Sequence, residues 1–430
     1  MTARLQVVCR QLLWGCMACA PWWGLAQAQA QTLEALILDT LATHPATQSQ
    51  RAQVASAAAG VDSARWQFYP TPSVSLENAA TSGADPLYQG DKRVATLRLQ
   101  QPLYTGGRLT AGADKAQASL DQSQAALDES RLQLSLRVVQ AYGDWLAAHL
   151  KTQANQKSEQ THARLRDQVQ RRIDEGVSAD SDLMLALARQ EAIRADVTAA
   201  RAQGDMALAR LGQLLGRPLL GDALANTVAI PRPVNAQAAA LLQQALSQSA
   251  ALQKAKSQVR VQEATVVERR ADLLPEVYLR AERQYGNFNF ANGAPENRLF
   301  VGVSSRFGAG LSGLSNVAAA RGQLEAALAE VQVQTRAINE QVLADHALAL
   351  SSELRLASVR ASLRSAQSVS ESYERQFLAG RKTWLDVMNA ARELAQTETL
   401  IADLLITQMV ASWRLSFYTR GIEAVIQGTP

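Results

Sequence analysis

The chain has only three cysteines in 430 residues, and all of them, Cys9, Cys16 and Cys19, fall within the first 20 positions. The rest is cysteine-free, which excludes a disulfide scaffold, a thiolate metal centre and a cysteine nucleophile. Histidine is nearly as scarce. His44, His149, His162 and His346 stand apart on helical patterns, with no metal-ligand spacing and no nucleophile motif nearby. This lack of site chemistry argues against an enzyme and leaves no place for a resident metal or cofactor. The six methionines, Trp145 and Trp384 read as packing residues. An excess of one charge is also missing. The formal charge of +4 includes Arg4 and Arg10, and the basic residues are interspersed with acidic ones. No nucleic-acid partner is implied.

Proline is absent from two long stretches: 115 residues between Pro102 and Pro218, and 134 between Pro295 and Pro430. Within the first, Leu132, Leu136, Val139, Leu146 and Leu150 recur at steps of three, four and seven, with Gly143 in the same seam. Within the second, Leu324, Leu328, Val331, Ile338 and Val342 form the equivalent stripe. Such stripes describe coiled-coil packing. A single helix from Thr110 to Glu175 is about 100 Å long at 1.5 Å per residue, far more than a compact domain needs.

Residues 1–30 have a basic start, an apolar run from Leu12 to Ala26 broken by Pro21, and small residues at Ala26, Ala28 and Ala30. This is the pattern of a cleaved secretory signal, and the run is too short to span a bilayer. An uncleaved anchor and lipid attachment at Cys16 are the rival readings.

Helical patterns cover Thr32–Trp66, broken only by Pro45, and Ala236–Asp272. Each leads into segments of period two. Val74 and Leu76 alternate with Ser73, Ser75 and Glu77, and Leu97, Leu99 and Leu103 with Thr96, Arg98 and Gln100. In the second half Val277, Leu279 and Ala281 alternate with Tyr278, Arg280 and Glu282, followed by Leu299, Val301, Val303 and Phe307. Period two means strand, so each half carries one β-hairpin, 72–104 and 275–307. Strand phase puts Thr96, Arg98, Gln100, Arg280 and Glu282 on the polar face, the side expected to line a lumen.

Each long helical pattern stops at a glycine, and an Asp six residues later opens a returning helix. The stretches are RRIDEGVSADSDLMLA (Arg171–Ala186) and RQFLAGRKTWLDVMNA (Arg375–Ala390); Gly176 to Gly380 is 204 residues, as is Asp182 to Asp386. The chain is therefore a two-fold structural repeat. A signal peptide (1–30) precedes a first unit (31–220, tip 176–182), a connector (221–235), a second unit (236–420, tip 380–386) and a tail (421–430). Taken singly, the tip residues are an ordinary glycine stop and aspartate cap. The fixed spacing makes them a pair.

Four strands with one apolar face cannot close a barrel, and an open sheet leaves edges unpaired. Apolar-out, polar-in strands on a secreted chain suit a membrane barrel, and three chains supply twelve strands. The fold class is thus an α+β membrane protein: long antiparallel coiled-coil helices plus four strands, trimerising into a 12-stranded barrel above an α-helical tunnel. Trp66, Phe68, Tyr69 and Tyr104 flank the strands where an interfacial girdle belongs. The alternative is a soluble helical protein with two surface hairpins.

The repeat, the phrase QQPLYTGGRLTAG and the tip FLAGRKTWLDVMNA resemble the TolC family of outer-membrane exit ducts over nearly the whole mature chain. More narrowly, FYPTPSVSLE and FVGVSSRFGAGLSGLSNVAAA resemble members that export large adhesins by type I secretion. The resemblance implies a homotrimer in the outer membrane with its tunnel in the periplasm. Its partners are a periplasmic adaptor, an inner-membrane ABC transporter, an exported protein and outer-membrane lipid; it has no cofactor. The tips close the inner end and open by untwisting. Asp386 matches the position where three carboxylates ring the entrance, and Asn389 stands where a second acidic position is found. Like charges on one axis raise each other's proton affinity or recruit a cation. Lys382 and Asp182 match a clasp between the two tips, with Phe377 in place of a Tyr that also serves there, which implies a loose latch. Gly176, Val177, Ser178, Gly380 and Arg381 match tip turns that meet the adaptor. A drug or metal efflux pump shares this fold, and a periplasmic coiled-coil adaptor or structural rod is the reading from another class.

Overall fold

The computed structural model describes residues 31–80, 89–231, 237–291, 293–305 and 312–428. The expected leader with Cys16, Phe307, residues 232–235 of the connector with the first residue of the second unit, and the last two of the tail lie outside these. The first unit comprises α1 (Leu33–Thr43), α2 (Pro45–Trp66), β1 (Thr71–Asn78), β2 (Arg93–Tyr104), α3 (Arg108–Asp174) and α4 (Asp180–Leu215). The second comprises α5 (Ala238–Gln248), α6 (Ala250–Ala271), β3 (Glu276–Tyr285), β4 (Glu296–Ser304), α7 (Ser312–Leu378) and α8 (Trp384–Arg420), and a short α9 (Ile422–Ile426) follows. Helices α3 and α7 are both 67 residues long and begin 204 positions apart.

Two expected helices are each broken once. His44 precedes a proline and so leaves the helical region (ψ 132°), and its Nδ1 accepts the Ala46 N–H at 3.1 Å. Ser249 does the same at the equivalent place, its hydroxyl accepting the Leu252 N–H at 3.2 Å. Neither break interrupts packing, because α2 and α6 both lie along α3.

The strands form one antiparallel sheet in the order β1-β2-β3-β4, so the two hairpins are joined through β2 and β3. Arg98 faces Glu282 and Gln100 faces Arg280 across that join, with a bulge between Pro102 and Tyr104. β1 and β4 are the sheet's two edges.

The core sits where the middle of α3 meets α1 and the C-terminal ends of α4 and α8. Ile37, Val138, Val139, Leu146, Leu211 and Met409 are fully buried there. Gly143 lets α3 approach α8: a Cβ at that position would stand 2.8 Å from Val410 Cγ2 and 3.2 Å from Ile406 Cγ2. The connector is tied down by the same core. Trp413 Nε1–H donates to the Ala229 carbonyl at 2.8 Å, Tyr142 Oη–H donates to the Ala225 carbonyl, and Gln31 pairs with Leu224. Among the described residues α8 alone is long and apolar enough to cross a membrane, and 67% of its most apolar window is buried against the other helices. Its apolarity serves the core. The second stripe is buried only in part: Ile338 and Val342 are inside, whereas Leu328 is 48% exposed.

Candidate functional site: the sheet faces and the helical tips

The sheet has two chemically distinct faces. Val74, Leu76, Leu299, Val301 and Val303 point to one side and are 69–75% exposed in the protomer. The opposite face carries a charge network. Arg98 Nε donates to Glu282 Oε1 at 2.6 Å, and Arg280 Nε lies 3.1 Å from the same oxygen in ion-pair rather than hydrogen-bond alignment. The Arg280 guanidinium also stacks over Phe300, 4.6 Å from the ring centroid, and Arg298 pairs with Glu296. The expected polar-face residues Arg98, Arg280 and Glu282 are thus brought together, with Gln100 opposite Arg280 and Thr96 opposite Gln284. Arg283 is in the other phase, opposite Leu97 on the apolar side. Trp66, Phe68, Tyr69 and Tyr104 cluster in exposed positions where the strands meet the helices.

At the far end the two turns are built alike. Gly176 (φ 74°) and Gly380 (φ 72°) take the left-handed conformation that ends a helix, and their N–H groups donate to the Ile173 and Phe377 carbonyls at 2.8 and 2.9 Å. Val177, Arg381 and both glycines are exposed, and Ser178 is half-buried. The returning helices start differently. Thr383 caps α8 in a reciprocal box with Asp386: the Asp386 N–H donates to Thr383 Oγ1 at 3.2 Å, and the Asp386 carboxylate accepts the Thr383 N–H at 3.2 Å. The Thr383 hydroxyl also donates to that carboxylate at 2.8 Å. Ala179 caps α4 with no side-chain bond, so Asp182 has no such partner. Hydrogen bonds from Thr383, and then the Lys382 charge, hold Asp386 below the ordinary carboxylate range. Asn389, one turn on, accepts from Arg392 at 3.4 Å.

The expected contact between Lys382 and Asp182 is not made within the protomer. Lys382 Nζ lies 3.9 Å from Asp386 and 4.3 Å from the Tyr373 ring centroid, drawn to the first turn of α8 and to α7. Phe377 is 3% exposed and is a packing residue rather than a surface partner. The tips are instead held by a cluster of Leu165, Val169, Ala186, Phe377, Val387 and Met388. Arg172 closes it: its guanidinium lies 4.8 Å from the Phe377 ring centroid and donates to the Phe377 carbonyl at 3.1 Å. Sequence reasoning missed Arg172. Its partner is a backbone carbonyl, which leaves no mark in the sequence; the only signal was a basic residue in the last turn of α3.

The described residues contain no His/Cys/Asp/Glu group that could hold a metal ion. The sheet offers one charged face and one apolar face, and the two turns lie together at the far end. A family model described as outer membrane efflux protein matches residues 36–217 and 241–419. No curated protein matches the chain. Its fold is similar to VceC from Vibrio cholerae, with a TM-score of 0.77, 16% identity, and coverage of 90% of this chain and 96% of that one. The open-state MtrE channel of Neisseria gonorrhoeae gives 0.74, 15%, 91% and 89%, and CusC gives 0.77, 17%, 90% and 92%. At these identities the likeness is one of fold. Both halves being covered by the family match, the chain belongs to the outer membrane efflux protein family, whose members are non-enzymatic outer-membrane ducts with a helical tunnel beneath a trimeric barrel.

Proposed function

We propose that this chain is the outer-membrane duct of a tripartite type I secretion system, through which an inner-membrane ABC transporter and a periplasmic adaptor export a large adhesin. The single observation that carries the duct is the sheet. Its apolar face is exposed, its opposite face is charged, and among the described residues β1 and β4 are edges with no further strand beside them, so three copies close a wall around a wet lumen. Thr96, Arg98, Gln100, Arg280 and Glu282 line that lumen.

The tips form the gate. Asp386 contributes one carboxylate per protomer to the entrance ring. Asn389 adds none, which leaves the mouth less acidic than two rings make it. Gly176, Val177, Ser178, Gly380 and Arg381 present the turns to the adaptor. A groove of about 490 Å³ between α4 and α8, lined in part by Arg189, Asp196, Asn389 and Arg392, gives a helical partner a place beside them. Protein cargo is supported by the motif similarity and by a clasp that lacks a cross-tip Lys382 to Asp182 ion pair. Efflux of small molecules is the second reading, favoured by the description of the matched family.

Deleting the gene in its host separates the two. Protein export predicts loss of one very large cell-surface protein by surface proteomics, with drug and metal susceptibility unchanged. The opposite outcome selects efflux.

A further inference from the structure

On all four strands the outward apolar row stops at a polar residue at the end remote from the helices: Asn78, Arg93, Arg283 and Asn297. These form two cross-strand pairs, Asn78 with Arg93 and Arg283 with Asn297. The tunnel is periplasmic, so this end of the sheet lies toward the external leaflet.

The arginines differ from those of the inner face. Arg98 and Arg280 share Glu282, and Arg298 has Glu296. Among the described residues, Arg93 and Arg283 have no side-chain hydrogen bond or ion pair; Arg283 only stacks on Tyr285, 5.2 Å from the ring centroid. An arginine on the lipid face is destabilising unless it reaches the interface or an anion. Beside Arg283 runs a groove of about 550 Å³, lined by Val74, Leu97, Leu99, Ala281 and Leu299, with Arg283 and Asn297 along one margin.

We propose that this surface binds the phosphorylated glycolipid of the outer leaflet, Arg283 and Arg93 pairing with its phosphates and the groove holding an acyl chain. Arg93 lies four residues beyond Leu97, the partner of Arg283, so the two arginines are roughly 13 Å apart along the sheet. That separation suits a headgroup phosphorylated at two places better than a single phosphodiester. Asn78 and Asn297 offer amides to sugar hydroxyls. The inference rests on the trimeric outer-membrane barrel described above.

The test is native mass spectrometry of the purified trimer with diphosphoryl lipid A, phosphatidylglycerol or inorganic phosphate. Retention of diphosphoryl lipid A is expected to exceed that of phosphatidylglycerol by about tenfold, and to fall by about tenfold in R283Q but not in R283K. Equal retention of the two lipids by the native protein overturns the proposal without any variant. So does unchanged retention in R283Q, or displacement of the lipid by millimolar inorganic phosphate. A heat-sensitive trimer band in each sample separates loss of lipid from failure of the barrel to assemble.

Discussion

Replacing Arg172 with alanine removes the one polar contact found between the two tips among the described residues and leaves their apolar cluster in place. The side chain makes a charge-assisted hydrogen bond to the Phe377 carbonyl at 3.1 Å and covers the Phe377 ring at 4.8 Å. Such a bond contributes about 1.5–3 kcal/mol, and a cation over an aromatic face at a partly wet site about 0.5–1 kcal/mol. Arg172 is only half-buried and water replaces part of the bond, so about 2 kcal/mol per protomer is a reasonable loss. At about 1.4 kcal/mol per decade, this shifts each clasp some 30-fold toward release. Three tips opening together multiply the effect. In planar-bilayer recordings R172A should convert rare brief openings into long ones, with R172K intermediate because lysine keeps the cation but not the planar fork. Asp182→Ala should behave as the native protein, since Asp182 holds no partner across the tip. Unchanged gating in R172A together with open channels in D182A would refute this reasoning and move the clasp to contacts between protomers.

Three further outcomes are expected. Gly143→Ala pushes a methyl group against Val410 and Ile406 and should cost about 1–3 kcal/mol, seen as a lower melting temperature of the helical signal. Val301→Arg places a charge on the 71%-exposed apolar face and should cost about 2–4 kcal/mol near the bilayer midplane, read as loss of the heat-sensitive trimer from outer-membrane fractions. The third concerns pH. The folded-state pKa of Asp386 is depressed by Thr383 and Lys382, so its stabilisation of the tip is complete above the unfolded value of 3.8 and is lost as pH falls through the depressed value. At high salt, which screens the three Asp386 carboxylates from one another, conductance should stay constant from neutral pH down to the ordinary carboxylate range and rise only below it, and Asp386→Asn should abolish that rise.

The features legible in the sequence are those fixed by local chemistry. A proline-free stripe ending at a left-handed glycine placed α3 to within a few residues and the end of α7 at its tip, and period two located every strand. What escaped depends on neighbours distant in sequence. Ser249 breaks a helix without any proline, because a serine hydroxyl can cap a helix wherever tertiary packing asks for a bend. The joining of β2 to β3 across the two units has no local signal. Leu328 continues the α7 stripe yet is exposed in the protomer, because α7 is covered only on the sides that meet α5, α6 and α8. At the tips, similarity of motif set Lys382 against Asp182, but Lys382, in the turn just before the α8 cap, lies instead beside Asp386 in the first turn of α8. Arg283 continues the Val277, Leu279 and Ala281 phase, and its place beside Leu97 on the apolar side comes from pairing between the two units.

The 67-residue helices also have a mechanical meaning. Each runs about 100 Å from the sheet to the tip with no proline and no break, so it has no hinge at which to bend. Behaving as an elastic rod clamped at the membrane, it can move its free end by ~10 Å with a lean of only ~6°, shared over roughly 18 turns. The strain in any one turn is then a fraction of a degree, well inside the ordinary spread of helical dihedrals. The gate can open through the sum of many negligible distortions, and resistance to opening resides in what clasps the free ends.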